Sequence, residues 1–135
     1  MKEKNIQTLF SKVDIPDGVY ELKLSKLSSM SYSAVKEHQI KGLRDAKSES
    51  GIFHKISDMP IFAGSKMRFN IPKPFDCLKI SNANAYIAIC YYIPRKPKEV
   101  ICIDVDRFVD CMNTDSRKSL TKEKAIEISS FIIKI

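Results

Sequence analysis

Three apolar runs lie close together in the second half of the chain, and they constrain its fold most strongly. They are FDCLKI, AYIAICYYI and EVICIDV, and the polar linkers SNAN and PRKPK separate them. Runs of this length, rich in β-branched and aromatic residues and bounded by turn-forming residues, are typical of β-strands. We therefore expect three consecutive strands, with SNAN closing a hairpin between the first two and PRKPK linking the second to the third.

The rest of the chain adds two strands and three helices. VYELKLSK alternates between apolar and polar residues, as a half-buried strand does, and GIFHKIS is a second strand candidate. Helices are expected over 5–12, 34–47 and 120–135. The order α-β-α-β-β-β-β-α predicts an α/β or α+β fold around one sheet.

Composition limits the size and the partners of the protein. A chain of 135 residues with 44% hydrophobic residues is expected to form a single domain over 1–135. Lysine and arginine outnumber the acidic residues by 23 to 16, giving a net charge of +7. A small basic domain favours a polyanionic partner, usually nucleic acid and less often an anionic membrane, although a solvated lysine-rich surface is the plain alternative.

Other features exclude several classes of protein. No apolar run approaches the ~20 residues of a membrane span, and the polar start MKEKNIQTLF is not a signal peptide, so we expect a cytoplasmic protein without a membrane partner. There is no CxxC pair, glycine-rich phosphate loop or serine-hydrolase elbow. Cys77, Cys90 and Cys102 lie in apolar runs and are expected to be reduced and buried.

Glu21 and Lys23 form the sharpest local feature. Residues i and i+2 of a strand project from the same face, with Cα atoms about 6.5–7 Å apart. A carboxylate holds a hard divalent cation, and an adjacent ammonium stabilises charge that develops on a phosphate. The same pattern also arises on any solvated strand rich in lysine and glutamate.

The blocks around this pair resemble a known family. GVYELKL is followed by YSAVKEHQIKGL, GIFHKISDMP, KPFDCLKI and AYIAICYY. This series resembles the small Holliday-junction resolvase-like proteins of phages and bacteria, also labelled penicillin-binding-protein-related factor A, within the PD-(D/E)xK nuclease superfamily. The resemblance covers residues 5–108. It implies a single central mixed β-sheet flanked by helices, Mg²⁺-dependent cleavage of DNA (Mn²⁺ being an alternative) and a homodimer.

The resemblance also assigns roles to individual residues. Glu21 and Lys23 match the ExK motif, and His38 and Gln39 match the HQ pair on the following helix, where they would assist catalysis. Asp76 matches the aspartate of the KPFD block. The loop LSKLSSMSYS departs from the family, in which this loop often contains glycine and a Pro-Phe pair.

The second metal ligand beside Glu21 has two candidates. In the superfamily an acidic residue usually precedes ExK, and here Asp14 and Asp17 do so. Asp17 lies about 13 Å from Glu21 along an extended strand and reaches the metal only if the chain folds sharply at Gly18. Asp76 escapes this limit if its strand lies next to that of Glu21, about 5 Å away. We therefore expect Asp76 to be the ligand, with Asp17 as the alternative.

Several other polar residues have simpler interpretations. Gln39 lies on an apolar helical stripe, where a hydrogen-bonded core glutamine is common, and an exposed His38 is often without a role. His54 is expected at the surface. Asp104 and Asp106 share a face and can bind a metal, but an acidic strand end facing solvent is the simpler interpretation.

Basic residues concentrate in two proline-containing loops. Such rigid, protruding loops suit sequence-independent contacts with phosphates, and a solvated surface is again the alternative. The candidate DNA-binding residues are Lys66, Arg68 and Lys73 in one loop, Arg95, Lys96 and Lys98 in the other, and Lys36 at the start of the helix.

Together these features predict a Mg²⁺-dependent endonuclease for branched DNA, most simply a Holliday-junction resolvase. Glu21 and Asp76 would hold the metal and Lys23 would stabilise the transition state. One alternative is a non-catalytic nucleic-acid-binding protein on a decayed nuclease fold, and another is a scaffold protein. A four-way junction is cut on two strands, which favours a homodimer, and the apolar tail SSFIIKI is expected to supply exposed surface for it.

Overall fold

The computed structural model describes residues 1–57 and 73–135 of the chain. In chain order, its helices and strands are α1 (Glu3–Phe10), β1 (Val19–Ser25), β2 (Ser29–Ser31), α2 (Glu37–Lys47), β3 (Ile52–Lys55), β4 (Cys77–Ile80), β5 (Ala85–Tyr91), β6 (Glu99–Asp104), α3 (Val105–Thr114), β7 (Ser119–Thr121), α4 (Lys122–Ile128) and β8 (Phe131–Lys134). A 3₁₀ turn, Tyr32–Ala34, precedes α2.

A four-stranded mixed sheet in the order β1-β5-β6-β8 forms the centre of the fold. β1 runs parallel to β5, whereas β5 with β6 and β6 with β8 are antiparallel. The expectation of an α+β fold around a mixed sheet is confirmed. The sheet is accompanied by two small two-stranded sheets, β2 with β7 and β3 with β4.

Helices cover both faces of the main sheet. On one face, Ile6 and Phe10 of α1 pack with Cys90 of β5 and Cys102 of β6. On the other face, the buried side chains of α2, α3 and α4 pack with Ile87 and Ile89 of β5 and their neighbours on β6. Because successive side chains of a strand point to opposite faces, β5 supplies both cores, which explains why its run is apolar almost throughout.

The predicted SNAN hairpin is wrong. β4 pairs with β3, and β5 pairs with β1 and β6 instead, so SNAN leads from one sheet to another. Both edges of β5 are thereby occupied. We call the β3–β4 pair the ribbon. At its base Gly51 has φ 70°, and a Cβ there would lie 2.0 Å from the carbonyl oxygen of Ile80, so only glycine fits.

The C-terminal part also differs from the prediction. The expected helix over 120–135 is instead β7, α4 and β8, and α3 was not foreseen. The expected exposed tail is largely internal, because Phe131 and Ile133 pack into the core on the α1 face. The ring of Phe131 lies 4.9 Å from that of Tyr86. Ile132 faces outward and is 40% exposed.

The cysteines follow the prediction in part. Cys90 and Cys102 are buried and unpaired, as expected, whereas Cys77 is exposed because its strand belongs to the ribbon and not to the main sheet. Burial raises the pKa of the Cys102 thiol to about 12. In the two described stretches of the chain, no helix is long and apolar enough to cross a membrane.

Candidate active site

Glu21 and Lys23 lie side by side on β1, as the strand period predicts. Lys23 Nζ is 3.3 Å from Glu21 Oε1. The side chains are 12% and 29% exposed for Lys23 and Glu21, so the pair is shielded from most of the solvent. A partly desolvated ion pair is stronger than one at the open surface, and its charges remain within reach of a polar ligand.

Gln39 of α2 completes a three-residue cluster with this pair. Its Nε2 donates a hydrogen bond to Glu21 Oε1 at 2.8 Å. Its Oε1 accepts a hydrogen bond from the backbone N–H of Lys36, also at 2.8 Å. Gln39 is the third residue of α2, the position from which a glutamine side chain reaches back to the residue before the helix. Both ends of the amide are therefore held, and its orientation is fixed.

The two contacts with Glu21 end on the same carboxylate oxygen. Glu21 Oε1 accepts from the Gln39 amide and lies 3.3 Å from the Lys23 ammonium, whereas Oε2 accepts no hydrogen bond from the residues that the structure describes. A carboxylate that is oriented by a hydrogen bond to one oxygen, and whose other oxygen accepts none, is suited to bind a cation. The cluster thus combines a fixed carboxylate, a cation and an orienting amide.

A cavity of about 510 Å³ opens between α1 and β1 and reaches Glu21. Its polar lining comes mainly from α1, and its floor is formed by β1 and the residues before it. The lining residues are Glu3, Lys4, Gln7, Phe10, Ser11, Ile15, Tyr20, Glu21 and Leu22. Glu3 and Glu21 both line this cavity, but Glu3 stands on the α1 face of the sheet, whereas the Glu21 side chain points to the α2 face at the outer strand of the sheet.

Sequence reasoning missed Glu3 and Gln7. They are four residues apart on α1, so they share a helix face beside the apolar stripe of Ile6 and Phe10. This i, i+4 spacing was the sequence signal that could have identified a polar face on α1. What the sequence does not contain is the packing of α1 against β1, which brings this polar face to the cavity that Glu21 lines.

The structure does not bring Asp76 to Glu21 through sheet pairing. Asp76 immediately precedes β4, which pairs with β3, so the expected neighbouring strand of β1 is β5 instead. The Asp76 side chain is 88% exposed and lies 3.1 Å from Lys73 Nζ. Among the described residues, no group of three or more His, Cys, Asp or Glu side chains is placed to share a metal ion. The ligand role of Asp76 remains a prediction, without the half-buried strand position that motivated it.

Asp14 and Asp17 are exposed and lie before β1. The Tyr20 hydroxyl donates to the carbonyl oxygen of Pro16 at 2.6 Å, which holds the chain entering the strand. Burial is the main cause that raises the pKa of Tyr20 to about 12, and the Asp17 charge contributes to the same shift. Asp17 therefore acts on Tyr20, whose side chain points to the sheet face opposite that of Glu21.

The histidines and the second acidic pair lie outside the cluster. His38 and His54 are exposed, and neither imidazole makes a hydrogen bond with the described residues. Asp104 and Asp106 are ion-paired with Lys47 of α2 at 2.9 and 2.7 Å. Asp104 also caps α3 by accepting from the backbone N–H of Asp106. This pair joins α2 to α3, so it serves the fold.

Electrostatics agree with that structural role. The hydrogen bond from Lys47 is the main cause that holds the pKa of Asp106 below its ordinary value. The hydrogen bonds to Asp106 and Asp104 in turn raise the pKa of Lys47. Arg44 adds a further contact to Asp106 at 3.2 Å. Lys47 and Asp106 therefore stabilise each other in their ionised forms.

The candidate DNA-binding residues are distributed around this site. Lys66 and Arg68 lie outside the described residues, and Lys73 pairs with Asp76. Arg95 and Lys96 are exposed in the turn between β5 and β6, where Arg95 has φ 65°, while Lys98 is half-buried. Lys36 is exposed and directly precedes α2.

Comparison with known proteins identifies no relative. No protein-family model matches the chain, and no curated protein or solved structure is significantly similar to it. The geometry of the cluster around Glu21 and the sequence blocks described above are therefore the features that bear on function.

Proposed function

We propose that the protein is a metal-dependent endonuclease that hydrolyses phosphodiester bonds in DNA. The observation that carries this proposal is the convergence of Lys23 and Gln39 on one oxygen of Glu21, at 3.3 and 2.8 Å. A strand that carries ExK and a helix that carries glutamine were expected from the resemblance. Their contact is a property of the fold that no local pattern requires.

The donor set is compatible with Mg²⁺ or Mn²⁺. Mg²⁺ is commonly held by one or two carboxylates together with water and substrate phosphates, and not by a cage of protein ligands. Glu21 would bind it through its carboxylate, and Glu3, which lines the same cavity from the α1 face, would reach it around the outer edge of β1. When bound, the ion would lower the pKa of a coordinated water and offset phosphate charge.

Each residue of the cluster then has a defined task. Gln39 holds Glu21 Oε1 and keeps the carboxylate in one orientation. Lys23, which is mostly buried beside it, supplies a positive charge where negative charge accumulates on the phosphate in the transition state. Since such groups are fixed before the substrate arrives, little reorganisation is needed during the reaction.

The substrate class is proposed from charge and resemblance. The net charge of +7 favours a polyanion, and the sequence blocks favour branched DNA such as a four-way junction. Resolving a four-way junction requires cuts in two of its four strands and therefore two sites, so we further propose a homodimer acting in the cytoplasm of a bacterial or phage-infected cell. Sedimentation of the protein with and without junction DNA tests the dimer, and a strict monomer in both conditions would exclude it.

Cleavage of a synthetic four-way junction, compared with linear duplex of the same sequence, tests the activity directly. Wild type should cut the junction with Mg²⁺ or Mn²⁺ and not with EDTA, and Glu21→Gln should be inactive. Glu127→Gln is the matched control, because Glu127 is 69% exposed on α4 and belongs to neither β1 nor α2. Salt-sensitive binding without cleavage of any substrate would favour a non-catalytic nucleic-acid-binding protein instead.

A further inference from the structure

The ribbon presents one face that combines an aromatic ring with positive charge. Phe53 pairs with Lys79 and Lys55 pairs with Cys77, and residues directly opposite each other on antiparallel strands share a face. These four side chains, which we call the Phe53 face, are all exposed. None of the four is acidic.

The Phe53 ring has no part in the described core. It is 65% exposed, and in the residues that the structure describes it takes part in no ring contact. On the opposite face of the ribbon Ile52 and Ile80 are half-buried, while His54 and Leu78 are exposed. The Phe53 face is therefore the more exposed face of the ribbon.

Charge on the ribbon favours an anionic partner. The described residues from Gly51 to Ser57 and from Lys73 to Ile80 include three lysines and one acidic residue, Asp76. Asp76 pairs with Lys73, and among the described residues neither Lys55 nor Lys79 has an acidic partner. Lys79 Nζ donates to the carbonyl oxygen of Ser50. Because this acceptor is neutral, the positive charge of Lys79 is not cancelled, and the contact holds the side chain along the ribbon.

The ribbon leaves the main sheet beside the candidate active site. The backbone N–H of Val19 donates to the carbonyl oxygen of Asn84 at 2.8 Å, and Val19 pairs with Ala85. Asn84 belongs to the short link from β4 to β5, and Glu21 lies two residues beyond Val19, about 7 Å along β1. A nucleic acid held at Glu21 is therefore close to the base of the ribbon.

We propose that the Phe53 face binds an unpaired or unstacked nucleotide of the nucleic-acid substrate. Phe53 stacks on the base, while Lys55 and Lys79 contact the flanking phosphates. Every base has an aromatic face, so this contact tolerates any sequence. The inference rests on the proposed nuclease function and adds to it a preference for DNA that offers unpaired bases near the cleaved bond.

Binding measured in EDTA tests the face separately from catalysis. Fluorescence anisotropy compares oligothymidylate with duplex DNA of equal length for wild type, Phe53→Ala and Phe53→Tyr. Phe53→Ala should weaken single-strand binding about 5- to 150-fold while changing duplex binding little, and Phe53→Tyr should restore it. Leu27→Ala is the control, because Leu27 is 74% exposed outside the ribbon. Equal single-strand affinity of Phe53→Ala and wild type would overturn the proposal.

The exposed thiol on the same face gives a second test that needs no variant. Cys77 is exposed, whereas Cys90, Cys102 and Cys111 are buried, so iodoacetamide should alkylate Cys77 first in the native protein. Saturating oligothymidylate should slow this alkylation several-fold. An unchanged rate at saturation would show that the strand binds elsewhere and that the ribbon awaits another partner, such as a protein.

The two proposals fail in different ways. If wild type cleaves no DNA with any metal tested but Phe53→Ala loses single-strand affinity, the proposed nuclease function is wrong and the proposed role of the Phe53 face is supported. If wild type cleaves junctions, but Phe53→Ala binds single strands as wild type does and single strands do not slow the alkylation of Cys77, the proposed role of the Phe53 face is wrong and the proposed nuclease function is supported.

Discussion

The Gln39 amide nitrogen lies 2.8 Å from Oε1 of Glu21, so helix α2 holds the carboxylate that strand β1 presents. The other end of the amide accepts from the Lys36 backbone, which ties the same side chain to the start of the helix. One residue thus couples the beginning of α2 to the orientation of Glu21. Changing it should affect both the helix and the site.

Gln39→Ala should reduce cleavage about 10- to 100-fold, since residues that orient a metal-binding carboxylate have effects of this size. Loss of the bond to Lys36 should also lower the free energy of unfolding by about 0.5–1 kcal/mol. Titration of the Mg²⁺ concentration that gives half-maximal cleavage, together with urea unfolding, measures both effects. Because Gln39 acts through Glu21, the Mg²⁺ concentration needed for half-maximal cleavage should rise, and the rate at saturating Mg²⁺ should fall.

His38→Ala provides the matched control for this prediction. His38 is the exposed neighbour of Gln39 on α2 and makes no hydrogen bond within the described residues. Its substitution should leave the Mg²⁺ requirement unchanged. If His38→Ala and Gln39→Ala reduce cleavage equally, the histidine takes part in catalysis and the assignment of Gln39 alone is wrong.

Substitutions of Glu21 and Lys23 should separate their roles. Glu21→Gln should abolish metal-dependent cleavage and lower the free energy of unfolding by about 1–2 kcal/mol, because the mostly buried Lys23 ammonium loses its charged partner. Lys23→Ala should reduce cleavage about 100- to 1000-fold while metal binding, followed by calorimetry with Mn²⁺, persists. Loss of metal binding in Lys23→Ala would mean that the lysine acts mainly by holding Glu21.

Three carboxylates compete for the place of the second metal ligand. Glu3 lines the Glu21 cavity, whereas Asp76 is on the exposed ribbon and Asp17 lies close to Tyr20. Glu3→Gln should therefore raise the Mn²⁺ dissociation constant and reduce cleavage, while Asp76→Asn and Asp17→Asn retain activity. If Asp76→Asn is inactive and Glu3→Gln has normal activity, Asp76 is the second metal ligand, as the sequence predicts.

The turn between β5 and β6 should contribute to DNA affinity through charge. Replacing Arg95, Lys96 and Lys98 by alanine removes three positive charges, two of them fully exposed. The slope of log affinity against log salt should become shallower by about 0.9 for each duplex phosphate that the variant no longer neutralises. Lys41→Ala is a control on α2, where Lys41 is 77% exposed and paired with Asp45. An unchanged slope in the triple variant would place the DNA elsewhere.

The ion pair between Lys47 and Asp106 should make stability depend on acid pH. Lys47 holds the pKa of Asp106 below its value in the unfolded chain, so this stabilisation is complete above about pH 4. It is lost as the pH falls through the folded-state pKa. Urea unfolding should show wild type more stable than Asp106→Asn near neutral pH, with the difference shrinking as the solution becomes more acidic than the folded-state pKa. Asp45→Asn, whose ion pair is exposed, should differ less.

Local patterns predicted the elements better than their arrangement. The alternation of VYELKLSK identified β1 and placed Glu21 beside Lys23, because strand period is a local property. The contact of Gln39 with Glu21 depends on how α2 packs against the sheet. Its signal in the sequence was a polar residue within an apolar helical stripe, which by itself fits a core glutamine equally well.

The errors arose where pairing is long-range or where two elements share one apolar run. β4 and β5 are adjacent in sequence, yet β5 takes its partner from β1, and nothing in SNAN records that choice. β6 runs directly into α3 with no turn between them. The boundary is Asp104, which ends the strand and caps the helix. In the tail, Ser129 and Ser130 separate α4 from β8 inside what had looked like one helix.

The two ends of the ribbon return to one point on the protein. The backbone N–H groups of Asn82 and Ala83 donate to the carbonyl oxygens of Ser48 and Ala46, so the chain re-enters beside the end of α2 that it left. A segment joined in this way behaves as an insertion whose length can vary without moving β1, α2 or β5. Closure entropy changes by only about 0.6 kcal/mol for each doubling of such a segment. Exchange, lengthening or removal of this module is therefore expected to leave the frame around Glu21 unchanged, so that under the proposed function it would alter the preferred substrate and not the chemistry.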